Sequence, residues 1–135
     1  MVGTLHPDEV ADLFHRRSVG RIACLAGGEP YLVPLTYAYA GGAAYAHALP
    51  GKLVAALRAH PRACFEVDEP LPGGAWRSAV AVAAYEELTD PAERAAALGL
   101  LADRDPVARP AAVPGVVFRL RLTGATGRFV TPPAA

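Results

Sequence analysis

Gly51 and Lys52, with His47 four residues before the glycine, are the residues best suited to chemistry in this chain. Lys52 is the one lysine among 13 basic residues, and it follows the turn Pro50-Gly51 at the start of a helical pattern. A helix N-terminus presents unpaired backbone N–H groups and a partial positive charge, so it attracts anions. A lysine opposes that dipole at a cost of roughly 0.3–1 kcal/mol. The conflict is resolved if the ammonium and the N–H groups act together on a phosphate, with Gly51 letting the ligand come close to the backbone. The plainer alternatives are a solvated lysine and a strand histidine satisfied by its neighbours. The nucleotide-binding loop GxxxxGK[ST] is absent, since Leu53 stands where a hydroxyl is required.

Other chemistry has less support. Asp68 and Glu69 are adjacent on a strand end, face opposite ways and make a poor acid–base pair. Ser18 and Ser78 lack the setting of a nucleophile. His6, His15, His47 and His60 do not cluster as metal ligands. Cys24 and Cys64 both lie in apolar runs and read as reduced core residues.

The elements that must position Lys52 and His47 follow from patterning. "HPDEVADLFHRR" is an amphipathic helix with Pro7 in its first turn and Val10, Leu13 and Phe14 on one face. "SVGRIACLA" and "YLVPLTYAYA" are strands, with Pro34 marking an edge, a bulge or the approach of something other than a strand. Gly41-Gly42 turns the chain into the strand "AAYAHAL", and a helix over Gly51–His60 buries Leu53, Val54 and Leu57. The strands "ACFEVD" and "WRSAVAVAAYEEL" follow, the second alternating imperfectly. Asp90, Pro91 and Glu93 then start a helix running to Arg104. A Pro-rich connection leads to the last strand, "VVFRLRLTGATGRF", and the tail "TPPAA". Hairpin-linked strands outnumber helices, which predicts a mainly β antiparallel barrel with flanking helices. The 135 residues fit a single domain, with its core over about 7–128 and a tail over 129–135.

Formal net charge is zero and no basic run occurs, so nucleic acid is not an expected partner, and neither is a membrane. No signal-like or membrane-spanning stretch opens the sequence, which predicts a cytoplasmic protein. Hydrophobic residues reach 53% but aromatics only 7%, a core of small side chains that an oligomeric interface would help to stabilise.

Taken in order, "VGRIACLAGGEPYLVPLTYAYAGGAAYAHALPGKLVAALRAHPRACFEVD", "WRSAVAVAAYEELTD" and "VVFRLRLTGATGR" resemble the pyridoxamine-phosphate-oxidase-like FMN-binding split barrels, nearest the nitroimidazole-resistance type. The resemblance runs from about residue 7 to 128. It rests on the combination of "P-x-x-V-P-L" text, the turn "Y-x-H-x-x-x-G-K", "HPRACFEVD" and the entry "W-R-S". It implies a homodimer with FMN in the seam. Gly51, Lys52 and Leu53 would receive the phosphate, and Pro34, Leu35 and Thr36 would border the isoalloxazine. His47 and Ala48 would lie near the ring or the ribityl arm, His47 nearest a substrate and so the catalytic candidate. Trp76, Arg77 and Ser78 would reach across from the second subunit.

The implied activity is electron transfer from reduced flavin to a small acceptor such as a nitroaromatic or a quinone. Tyr31 and Thr36 replace basic residues of true pyridoxamine phosphate oxidases, which argues against that reaction. Leu53 replaces a second basic residue that many relatives carry. The competing expectations are a non-catalytic flavin or haem holder with His47 as axial ligand, a deazaflavin-dependent reductase, and an empty barrel serving as an interaction module.

Overall fold

The computed structural model describes residues 1–104 and 115–132. The expected Pro-rich connection, over 105–114, and the last three residues of the tail lie outside the described residues. The strands are β1 (Val2–Thr4), β2 (Val19–Ala26), β3 (Glu29–Thr36), β4 (Ala38–Ala40), β5 (Ala43–Ala48), β6 (Arg62–Pro70), β7 (Trp76–Glu87) and β8 (Val116–Val130). The helices are α1 (Pro7–Arg16), α2 (Lys52–Ala59) and α3 (Pro91–Arg104). Every strand pairing is antiparallel, in the order β3-β2-β6-β7-β8-β5-β4, with β1 added to β8.

That order requires curvature. β3 and β4 lie at opposite ends of the strand order, yet only Tyr37 separates them in the chain. Two Cα–Cα steps reach about 7.6 Å, whereas seven flat strands would hold the outer two almost 30 Å apart. The sheet therefore curls until its ends meet, which is the barrel expected from the sequence. "YLVPLTYAYA" is accordingly two strands and not the single one predicted, because Tyr37 turns inward at the join and is fully buried. Its backbone N–H bonds Ser18 O at 3.0 Å, and its hydroxyl donates to Phe14 O at 2.5 Å. Phe14 lies in the last turn of α1, where helix carbonyls lack intrahelical donors, so Tyr37 ties that helix end to the barrel.

Among the described residues β3 pairs only with β2, so Pro34 stands on an edge strand, one of the places its missing N–H is tolerated. The opposing residues Val33, Ile22, Phe65 and Ala81 form one inward row across four strands. β7 in fact alternates strictly, but with its smaller residues inside: Ala79, Ala81 and Ala83 are buried, while Val80 and Val82 are 37% and 40% exposed. The small inner side chains leave room for Phe14, Tyr37, Phe65 and Phe118.

Between Thr123 and Thr126, β8 spends two residues opposite Ala81, with Gly124 at φ +59°. The resulting bulge bends this long strand, which bonds β5 and β7 before it and β1 and β7 after it. Phe129 and Val130 belong to the strand, and β1 is an element the sequence reading lacked.

Asp90 caps α3 as predicted, accepting the Glu93 N–H at 3.0 Å. In α2, Val54 and Leu57 are buried, but Leu53 is only partly so. The pairing of the cysteines' strands corrects one expectation. Cys24 is buried and its thiol is pushed up by desolvation, whereas Cys64 is exposed. Cys64 lies opposite Ala23 and Val82 on the outer face of the sheet, one residue out of phase with the inward Phe65.

Candidate functional site

β3 and β5, with α2 and α3, border a cavity of about 380 Å³ lined by Pro34, Leu35, Thr36, His47, Ala48, Leu53 and Leu101. Six of the eleven site residues named from the sequence thus converge on one cavity, although Thr36 and Leu53 lie 17 positions apart in the chain. Its volume is in the range of small-molecule sites, which are mostly apolar with a few convergent polar groups. Thr36 and His47 supply side-chain polarity here, and among the described residues no carboxylate lines the cavity.

Gly51 and Lys52 flank this cavity in sequence without lining it. Gly51 precedes α2 with extended backbone, and no side chain caps the helix. Its first turn carries no acidic residue. Lys52 has its ammonium 4.5 Å from the centroid of the Tyr31 ring, a cation–π contact. Among the described residues Lys52 forms no ion pair, while Arg16, Arg21, Arg58, Arg119 and Arg121 are all matched with carboxylates. The two acidic neighbours Asp68 and Glu69 are among those acceptors, from Arg21 and Arg16 respectively.

His47 is held below the ordinary imidazole value of 6.5, first by burial and then by the positive charge of Arg94. It is therefore neutral at pH 7 and can donate or accept a hydrogen bond without adding charge. A depressed pKa means that the unfolded chain binds the extra proton first. His47 thus contributes stability above the unfolded value, and that contribution is lost as pH falls through the folded pKa. An NMR titration of the His47 ring is expected to give a midpoint under 6.5, and Arg94→Ala should move it upward. A midpoint above 6.5 would contradict the burial argument.

Trp76, Arg77 and Ser78 are elsewhere. Trp76 and Arg77 line a separate cavity of about 240 Å³ with Leu5, Glu9 and Phe129. Ser78 lines neither cavity and opposes Asp68 and Arg128 in the sheet. Within one chain these three residues do not join the site around His47.

Three contributors were missed in the sequence. Leu101 follows Ala97 by one turn on the buried face of α3, a helical spacing that was visible but pointed only to the core. The effect of Arg94 on His47 and the Tyr31–Lys52 contact join residues far apart in the chain, and no local pattern signals them.

The cavity's apolar walls and the edge of β3, with backbone groups unpaired on one side, suit a flavin ring system, while Lys52, without an ion pair among the described residues, stands outside the lining at the start of α2. Among the described residues no helix is long and apolar enough to cross a membrane.

Comparison with known proteins agrees with this architecture. The family model described as pyridoxamine 5'-phosphate oxidase matches residues 6–129. A crystal structure of an FAD-binding protein from Mesorhizobium loti is 36% identical, covers 97% of this chain and 99% of its own, and superposes with a TM-score of 0.86. A candidate 5-nitroimidazole antibiotic resistance protein from Bacteroides thetaiotaomicron shares the fold at 16% identity and TM-score 0.83, covering 96% of this chain and 87% of its own. An uncharacterized protein of Rhizobium meliloti (strain 1021) is 33% identical over 70 residues, 52% of this chain and only 46% of that protein's length. With the model match spanning nearly every element from α1 to β8, the chain belongs to the pyridoxamine 5'-phosphate oxidase-like family of split barrels.

Proposed function

We propose that this chain is a flavin-dependent oxidoreductase, a single domain working as a homodimer, that passes electrons from reduced flavin to a small acceptor of nitroaromatic or quinone type. The observation that carries the reading is the convergence of Pro34–Thr36, His47, Ala48 and Leu53 on one cavity, beside a lysine without an ion-pair partner among the described residues. The M. loti protein's description as FAD-binding supports a flavin. The mononucleotide portion, FMN, is what this cavity and Lys52 would hold.

Bound flavin supplies the redox chemistry, accepting and returning electrons. The protein supplies placement. Lys52 and the α2 N-terminus offset the phosphate charge. The free edge of β3 would hold the ring's polar edge, and Pro34 forfeits no N–H that the sheet requires there. Neutral His47 offers a hydrogen bond to a substrate or to the ring. Tyr31, already engaged by Lys52, stands where a pyridoxamine phosphate oxidase would use a basic residue, so pyridoxamine phosphate is not the substrate proposed.

A second copy is the proposed cover for the outer sheet face. Leu32, Ala23, Cys64 and Val82 oppose one another in a row across it, with Val80 in the next row, and Leu32 is 61% exposed. An apolar row of this kind marks an association surface. The distance of Trp76 and Arg77 from the His47 cavity supports their acting on the neighbouring copy's flavin.

The absorbance spectrum of purified protein, before and after soaking in FMN or FAD, tests the reading. Paired flavin bands that bleach with NADH or NADPH and recover with an acceptor are expected, from a dimer by light scattering. Colourless protein after soaking would refute flavin binding. A Soret peak would point to haem and a single near-ultraviolet band to deazaflavin. Flavin bands with no bleaching would indicate a holder.

A further inference from the structure

α3 turns one stripe of residues toward the barrel, and a guanidinium stands at each end of it. Arg94, Ala97, Leu101 and Arg104 recur at helical spacing and so share one face. Ala97 is buried, and Leu101 lines the His47 cavity. Arg94 donates to Gly115 O at 3.0 Å, and its charge adds to the burial that depresses His47. Arg104, three residues beyond Leu101, donates through Nη2 to the backbone oxygen of Arg17.

Arg17 and Arg104 bring two cations to the same end of the cavity. Arg17 is the C-cap of α1, and the next residue, Ser18, accepts the backbone N–H of Tyr37. Tyr37 directly follows Thr36, a wall of the cavity. Desolvation raises the Tyr37 phenol, and the charges of Arg104 and Arg17 pull against it, so both guanidiniums stand near that hydroxyl. Among the described residues neither arginine meets a carboxylate, whereas Arg16, Arg21, Arg58, Arg119 and Arg121 all do. The Nε of each is buried and, among the described residues, has no hydrogen-bond acceptor. Capping uses one Nη2 of Arg104, and the carbonyl end of α1 offsets part of the charge, but both Nε groups remain without a partner. Buried N–H groups are almost always paired, and two like charges held together repel until an anion joins them.

We infer that Arg17 and Arg104 are the anion-binding end of the His47 cavity and that the electron acceptor is an aromatic carrying a carboxylate. The inference rests on the flavin reading above and gives it a substrate class. The acceptor's ring would lie beside the flavin among Leu35, Leu53 and Leu101. Its carboxylate would reach the guanidiniums, since three residues of α3 advance only about 4.5 Å from Leu101 to Arg104. Planar guanidiniums match a carboxylate in geometry as well as charge. Neutral His47, and the lack of a lining carboxylate among the described residues, leave the cavity free of groups that repel such a ligand.

Calorimetric titration of the full chain, with and without FMN, compares 4-nitrobenzoate with its neutral counterpart 4-nitrobenzamide. The benzoate is expected to bind at least about tenfold more tightly. Arg17→Met and Arg104→Met should each remove that preference and leave the benzamide unchanged, with circular dichroism checking the fold. Arg104 also caps α1, so Arg104→Lys serves as a milder variant: it keeps the cation, loses the fork and should cut the preference several-fold. Equal affinity of the parent for the two ligands, or a preference that the variants retain, would overturn the anion site and leave the flavin reading intact. Variants that weaken FMN but not riboflavin would assign the two arginines to the flavin phosphate and overturn the acceptor class. If FMN does not bind the parent, the flavin reading falls, and the titration of the flavin-free chain still decides the anion site.

Discussion

Tyr37→Ala is expected to lower unfolding free energy by about 3–5 kcal/mol, the range for deleting a fully buried aromatic side chain. Tyr37 fills the join between the two ends of the sheet. Its ring meets Phe65 edge-on at 5.0 Å between centroids, and its hydroxyl satisfies a carbonyl at the end of α1. Burial pushes the phenol well above its ordinary value, so it remains a donor throughout the physiological range. Tyr37→Phe separates the two effects: it keeps the ring and leaves Phe14 O without its donor, at an expected cost of about 1–3 kcal/mol. Since domains of this size are stable by about 5–15 kcal/mol, the alanine variant should melt at clearly lower urea and the phenylalanine variant between it and the parent. Two variants with equal small losses would show that Tyr37 does not hold the join.

Lys52→Ala carries the second large effect. If the ammonium faces a flavin phosphate, its loss removes a charge-assisted bond worth about 1.5–3 kcal/mol, which weakens FMN roughly tenfold to a hundredfold. Riboflavin, which has the ring and ribityl chain but no phosphate, should bind parent and variant alike. Exposed Lys52 contributes little to the core, so the variant should fold normally. Equal loss for FMN and riboflavin would place the effect on Tyr31 and the shape of the site, and no loss for either would remove Lys52 from it. The opposed helix dipole that first drew notice to this residue would then have no ligand to explain it.

Much of this was legible because local physics governs it. The Pro7 and Asp90 starts of α1 and α3 and the Gly41-Gly42 turn each follow from the conformation one or two residues require, whereas Pro34 left an edge, a bulge and a foreign approach open until the pairing of β3 was known. The convergence on the His47 cavity was legible only through the family resemblance, since strand pairing across the barrel brings the pieces together. What stayed hidden depends on register. Whether Cys64 faces in or out turns on a one-residue phase. The break at Tyr37 lies in a run, "TYAYA", whose alternation continues unchanged through it. The bulge at Gly124 requires knowing that β7 lies opposite.

The bent strand β8 has a bearing on biogenesis. It hydrogen-bonds β1, β5 and β7, and among the described residues it alone pairs β5 and β4 to the rest of the sheet. A nascent chain on the ribosome can form the β2–β3 hairpin and the β6–β7 pair early, but it cannot seal its interior until residues 116–130 have emerged. During that interval the inward rows of β5 and β7 stand open to solvent, so chaperone capture would act there and ribosome stalling before this segment would do the most damage.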